Sequence, residues 1–553
     1  MTVKFWEEKH MQKSVKRFIG TALVLVSGII LAGCGKSATK VQQTATIMEQ
    51  ADISSLDSSQ ITDVGALETV NNSQEGLYRM KNSTTVIPGL ATAIVKPTNG
   101  QTVYTFKLRK NLKWSNGDAL TANDFVYSWR RAVNPTSKAA NAYMFLPIKN
   151  AKQIENGKLP VSKLGVQAVN KTTLKVTLAQ ATPYFKYLVA AVPFLPLNQK
   201  VVEKYGSSYG TSAAKTVFDG PFTIQNWTTS SANWTLKKNP NYWDKKSVKL
   251  SSVKFQVAKS PETALSLYQS GKLDNIVLAG QQAAQMKKDK GYLSYPSGET
   301  DYLAYNFRSK AMRNLNIRKA ISLAINRESL TQNVLKNGAK APYGLAPEEI
   351  SKNPSNGKDF AKDSSVKESV AYNPTLAKKY WAKGMKQLGL TKLNLKLVCY
   401  DVDSFKNSAE YIQANTKKYL KGINIQIDVQ PKVQAITTMQ KKTGYDLGFT
   451  NWIASYPDLN EFFQLLNTNN VNNAGNYSNA TYDKLYSNAN VKDVTSTQKR
   501  YDDFKQANQV AMKQQAIAAL NQGQIARLNK PSLQGVTYAA AQGISLKDAY
   551  RTK

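Results

Sequence analysis

Histidine is nearly missing from this chain: 553 residues contain one, His10. His10 precedes the cleavage site expected below, and a mature chain without it excludes imidazole-based catalytic triads, proton shuttles working near neutral pH and histidine-ligated metal sites. Cysteine is almost as scarce, at Cys34 and Cys399, which excludes a disulfide-stapled scaffold. Acidic residues number 37 against 74 basic ones, leaving a net charge of +37. That excess suits either a solvated surface in an anionic cell envelope or direct contact with acidic cell-wall polymers. Nucleic acid is not expected as a partner, because the lysines are dispersed and no nucleic-acid motif accompanies them. No period of roughly 20 to 50 residues repeats, so solenoids and propellers are out. No Walker-type glycine-rich loop is present either, so the chain carries no nucleotide-driven step of its own.

What is present is 42% hydrophobic residues, enough for more than one core, since chains beyond roughly 300 residues normally divide. The longest apolar run, Phe18 to Ala32, follows Lys13, Lys16 and Arg17 and falls short of the ~20 residues of a spanning helix. It ends in Leu31-Ala32-Gly33-Cys34, an order that resembles the lipobox of bacterial lipoproteins. The resemblance implies a signal peptide over 1–33, starting at Met1 or Met11, and a diacylglyceryl group on Cys34. Cleavage there removes His10 and three net charges, leaving +34, and a lipidated Cys34 leaves Cys399 no disulfide partner. The polar residues after Cys34 read as a flexible tether, 34–46.

Between Thr105 and Pro135 the chain reads TFKLRKNLKWSNGDALTANDFVYSWRRAVNP. Tyr104, Phe106 and Leu108 alternate with Val103, Thr105 and Lys107 as in a half-buried strand. A turn is expected at Ser115-Asn116-Gly117-Asp118. Thr121 and Asp124 form a capping-box pattern, and Phe125, Trp129 and Val133 recur at helical spacing until Pro135. Before it comes Glu75-Gly76-Leu77-Tyr78, and after it Asp219-Gly220-Pro221-Phe222, Lys238-Asn239-Pro240-Asn241-Tyr242-Trp243-Asp244 and the run from Arg318 to Glu328, RKAISLAINRE. Together these strings resemble the oligopeptide- and dipeptide-binding solute receptors of ABC importers.

Periodicity adds a strand over Leu393, Leu395, Leu397 and Cys399, a helix from Ala409 to Leu420, and a strand over Ile423, Ile425, Ile427 and Val429. That succession implies a right-handed crossover and a parallel pair, with Cys399 a packed core thiol. Lys340 to Tyr372 reads as a loop. The resemblance implies an α/β, two-lobed, hinge-bending fold of the periplasmic-binding-protein kind with a smaller third lobe. The solute-binding domain would span 47–553: lobe I at about 47–87, 211–300 and 521–553, lobe II at about 88–210, and lobe III at about 301–520.

The function so implied is an extracytoplasmic receptor, not an enzyme, without cofactor or metal. It would hold oligopeptides and pass them to ABC permease and ATPase subunits, anchored by lipid to the outer face of the cytoplasmic membrane of a Gram-positive bacterium. The alternative is a basic adhesion or peptide-sensing lipoprotein that has lost general uptake. A receptor for varied peptides must pair the ligand main chain, since each buried unpaired group costs ~1–3 kcal/mol. Expected contact residues are Glu75, Gly76, Leu77, Tyr305, Asn306 and, on the strand Tyr445 to Trp452 and its continuation, Phe449, Trp452, Ser455, Tyr456 and Asp458. Two departures stand out. Ser455 occupies the place where the family has an Asp that accepts the ligand's α-ammonium group, and Phe449 stands where some members have Arg. Three readings follow for the amino terminus: Asp458 or another carboxylate replaces the anchor, the ligand's amino end lies outside the cleft, or general uptake is lost.

Overall fold

The computed structural model of the chain describes residues 41–540 and 543–553. The expected signal peptide, Cys34 and the first residues of the tether lie outside those. The last three tether residues do not: they open strand β1 (Thr44–Glu49), which pairs in parallel with a later strand at six positions. Burial of Ala45 and Ile47 draws this stretch into the sheet. Helix α1 (Val64–Ser73) follows, capped by Asp63.

Strand β2 (Val103–Lys107) buries Tyr104 and Phe106 and exposes Thr105 and Lys107. Helix α2 (Ala122–Val133) begins at Thr121, whose N–H donates to Asp124 Oδ2 at 2.8 Å while Asn123 N–H donates to Thr121 Oγ1 at 3.3 Å, closing the capping box. Its Phe125, Trp129 and Val133 are buried. Strands β3 (Val166–Asn170) and β4 (Thr173–Thr177) complete a three-stranded antiparallel sheet with β4 central. The core around it gathers residues from Leu77 to Val217, with Trp129 edge-on to Phe194 at 5.2 Å.

The remainder is organised on one ten-stranded sheet. Its further strands are β5 (Phe222–Gln225), β6 (Asn233–Lys238), β7 (Ser252–Val257), β8 (Asn275–Leu278), β9 (Tyr292–Tyr305), β10 (Leu393–Tyr400), β11 (Ile423–Gln430), β12 (Leu447–Ile453) and β13 (Ile517–Asn529), in the order β11-β10-β12-β9-β13-β8-β1-β7-β6-β5. Strands β9 and β13 are long enough to serve both ends of the sheet. Tyr292 to Pro296 pair with Leu528 to Gln524, Thr300 to Ala304 pair with Gln522 to Ile517, and the register shifts between Pro296 and Thr300 and again at Asp301/Tyr302. Gly298 supplies the first break with φ +71°, a conformation that glycine adopts without a Cβ penalty.

Helices α3 (Leu315–Ala324) and α4 (Asp403–Tyr419) pack on the β10 end of the sheet. Ile317, Ala320, Ile321 and Ala324 are all fully buried, as their spacing requires. Strands β10 and β11 pair in parallel across α4 from Leu393↔Ile423 to Tyr400↔Gln430, and Cys399 is buried between them and the helix, its thiol pushed up to about 11 by burial. The inward alternation expected for β11 fades before its end: Ile423 and Ile425 are buried, but Val429 is 42% exposed because β11 is the sheet's edge. The stretch expected as loop from Lys340 holds two short helices, Phe360–Asp363 and Lys367–Val370.

Two buried guanidinium groups tie α3 and its successor turn to β13 and the residues just before it without a carboxylate among the described residues. Arg318 donates to the carbonyls of Met312, Gln514 and Gln515 at 2.6, 2.7 and 3.0 Å. Arg327 donates to Ala519 O at 2.6 Å, Ser322 O at 3.1 Å and Ser322 Oγ at 2.8 Å. Burial lowers both to about 10, so each cation persists at neutral pH on neutral acceptors, chiefly carbonyls. Replacing Arg327 by Leu strands these acceptors, at ~1–3 kcal/mol each; urea denaturation should show a loss of about 3 kcal/mol or more.

Candidate functional site

Strand β12 meets β9 along its whole length, from Leu447↔Tyr305 to Ile453↔Glu299, but meets β10 only at Leu447 and Gly448. From Phe449 to Ile453 its second edge has no strand partner among the described residues. Strands β10 and β12 run the same way, so this edge opens where both end, the crevice in which open α/β sheets hold ligands. Tyr400 closes the near end, its hydroxyl 2.6 Å from Thr450 Oγ1.

Beyond β12 the chain turns through Ala454, Ser455, Tyr456 and Pro457. Ala454, Tyr456 and Pro457 line a slot whose other walls are Ser83, Pro296, Gly298, Glu348, Glu349, Ile350 and Ala540, with about 20 Å³ of free space, room for one water. Tyr456 stacks on Tyr184 at 4.6 Å and an interplanar angle of 14°. Tyr184 belongs to the core around the small sheet.

The ten residues expected at a ligand divide. Trp452 and Ser455 are half-buried beside the slot, with Tyr456 in its wall. Asp458 is not free to move there: Arg500 holds it with two donors, at 2.9 and 2.7 Å, from 42 positions away. Leu77, Tyr305 and Phe449 put their side chains into packed cores, each at most 1% exposed. Tyr305 donates its hydroxyl to Arg318 O at 3.0 Å, and Phe449 lies 4.5 Å from the Phe405 ring. The Asn306 amide donates to Tyr445 O at 2.8 Å, bracing a turn. Glu75 accepts from Tyr242 and from the Trp243 indole at 2.8 and 2.5 Å; with Gly76 it lines a separate small cavity beside Arg79 and Lys547. In these positions side-chain packing, invisible in a linear string, claims the side chain.

One residue was missed. Glu461 is buried with its carboxylate against the turn, accepting the Ser455 N–H at 3.0 Å, and the polar edges of Trp452 and Tyr456 face it. Burial first, and Asp458 nearby, raise it from 4.5 to about 7. Its sequence signal was slight: an acid six positions past Ser455, in a short helix. The structure has thus supplied a carboxylate exactly beside the serine that lacks one in its own side chain, while the acid nearest in sequence is committed to Arg500.

The model of bacterial extracellular solute-binding proteins, family 5 middle, matches residues 85–474. The chain belongs to this family. Family 5 proteins are extracytoplasmic solute receptors, and the chain is not an enzyme. It is 37% identical to a dipeptide-binding protein of Lactococcus lactis subsp. cremoris, over 90% of this chain and 92% of that one. It is 30% identical to the oligopeptide-binding protein OppA of Bacillus subtilis, over 91% and 93%. The solved structure of Listeria monocytogenes OppA bound to peptide superposes with a TM-score of 0.74 at 36% identity, covering 93% of this chain and all of that one. The two-lobed α/β architecture of the family is therefore that of this chain.

The Asp458–Arg500 pair fixes the turn that carries Tyr456. Arg500→Met leaves a buried lone carboxylate and should cost ~3–5 kcal/mol in urea denaturation, whereas Asp458→Leu with Arg500→Met should recover most of that loss.

Proposed function

We propose that the chain is a lipid-anchored receptor that captures oligopeptides outside the cytoplasmic membrane and delivers them to an ABC importer. The observation that carries this reading is the unpaired edge of β12 from Phe449 to Ile453, at the mouth of a slot between parts joined by two crossing strands. An extended peptide laid there gains main-chain hydrogen bonds as an added strand, and its side chains are asked for little. The slot now holds one water's volume, so entry requires the walls to part, and the register breaks in β9 supply the place to bend. The relatives named for dipeptide and oligopeptide binding support the same ligand class.

Glu461 takes the amino terminus in this reading. It stands where Ser455 has no charge, its own carboxylate is held by the Ser455 N–H, and an α-ammonium group would be a full countercharge. Of the three readings open from sequence, replacement by another carboxylate is the one this arrangement favours. Cys34 anchors the chain; Cys34→Ala should shift the protein from the membrane fraction to the medium.

Calorimetry of pentaalanine against its N-acetyl form tests the reading. The free peptide should bind more tightly, and Glu461→Gln should weaken it about tenfold or more while leaving the acetylated peptide alone. Adding Ser455→Asp to Glu461→Gln should restore the preference. The sign with pH follows from the raised value: Glu461 is neutral below about 7 and charged above it, so affinity for the free amine should rise as pH climbs through about 7. The rise should stop where the ligand's own ammonium loses its proton, near ~8. If neither peptide binds at any pH, the receptor reading fails.

A further inference from the structure

At the same end of the sheet, one wall has more acceptors than donors. Glu299 and Asp301 lie two apart on β9 and so share a face, and the ladder sets Asn451 opposite Asp301 on β12 and Asn521 opposite it on β13. Asn521 donates to Asp301 Oδ2 at 2.8 Å, and Asn451 donates to Glu299 Oε1. Beyond those two amides, Asp301 has the Glu299 carboxyl itself as a side-chain hydrogen-bond partner. Asp301 Oδ1 is shut from solvent with no donor from any other residue, and the hydroxyl of Ser297, a residue 9% exposed, is shut from solvent without a partner.

Gly523 lets these side chains come close to its backbone: a Cβ there would collide with Ser297 Oγ and lie 3.0 Å from Glu299 Oε2. Ser297 Oγ and Glu299 Oε2 therefore meet beside a glycine, with Asp301 in hydrogen-bond contact with Glu299. Ile453, paired with Glu299, is 49% exposed, so the spot adjoins the open edge of β12. The nearest cation from another element is Lys432, which is exposed, lies 5.6 Å over the Tyr400 ring and makes no ion pair with either acid. Burial, then Glu299, hold Asp301 well above the carboxylate range, so the empty pair keeps a proton that a bound cation would displace.

We propose that Glu299 and Asp301, with Ser297 beside them, form a subsite for the basic side chain, lysine or arginine, of a peptide lying along β12. Two carboxylates and a free hydroxyl accept the several N–H donors of an ammonium or guanidinium group, which neither a neutral nor an acidic side chain offers. The subsite rests on the peptide-receptor reading and adds a preference to it. It is separate from Glu461, which faces Ser455 on the turn.

The test is calorimetry of pentaalanine against five variants with one lysine each, and of the best against its Nε-acetyl-lysine form, in two buffers of different ionisation enthalpy. One position should favour lysine about tenfold over acetyl-lysine, with proton release that pentaalanine does not show. Glu299→Gln with Asp301→Asn should abolish both the preference and the release, and Gly523→Ala should weaken the preference with both acids intact. Pentaalanine affinity in the variants reports that they are folded. A preference that survives the double change, or no favoured lysine position while pentaalanine still binds, overturns the subsite alone. Stoichiometric binding of calcium or magnesium without peptide, lost in the double variant, overturns it in favour of an inorganic cation. No binding of any peptide removes the receptor reading and the subsite with it.

Discussion

The pairing of β9 with β13 is the interaction on which the other parts of the molecule depend. Both strands are addressed twice, once near Tyr292 and Leu528 and once near Ala304 and Ile517, with the ladder slipping between. At the first address they join β8 and through it β1; at the second, β9 carries β12. A continuous ladder would make the ten strands one stiff plate. The slip at Gly298 keeps the hydrogen bonds on either side while leaving a short stretch whose backbone is free of a strict partner. The slot beside Ala454 lies against that stretch, as its lining by Pro296 and Gly298 shows, so the place where the sheet yields and the place a guest would enter coincide.

Charge is handled in two ways. Among the described residues most lysines lie at the surface, whereas the enclosed guanidinium groups are held by three devices. Arg318 and Arg327 rest on carbonyls, Arg500 on a carboxylate, and Arg527 on Asn275 at 2.7 Å with Glu68 at 3.5 Å. In each case the guanidinium joins segments far apart in sequence, Arg527 and Glu68 by 459 positions. Such groups add little net stability over an apolar replacement of both partners, but removing one partner is expensive, which is how they enforce a single arrangement.

Local elements were legible in the sequence because their causes are local. The Thr121–Asp124 box, the Phe125–Trp129–Val133 stripe, the α3 face and the buried phase of Cys399 all follow from spacing within a few turns. The strings carrying the family resemblance were legible for the same reason. The site was legible in part. Trp452, Ser455 and Tyr456 lie together because they are chain neighbours. The hold of Arg500 on Asp458 was not legible because it reaches across the fold, and the place of Glu461 comes from a turn that only packing creates. Leu77, Tyr305 and Phe449 show that a motif position can give its side chain to the frame. The strand at Thr44–Glu49 could not be told from tether, since TATIME is short and its partners lie some two hundred residues on.

The stack of Tyr456 on Tyr184 has its own consequence. Both rings pack against the core around the small sheet, although Tyr456 arrives from the turn after β12, and the slot cannot widen at Tyr456 without sliding or parting them. An aromatic pair of this kind is worth ~0.5–1.5 kcal/mol beyond its buried area, a bias of roughly two- to tenfold toward the shut form. Tuning that single contact would reset how long a vacant molecule gapes without altering anything the cargo touches.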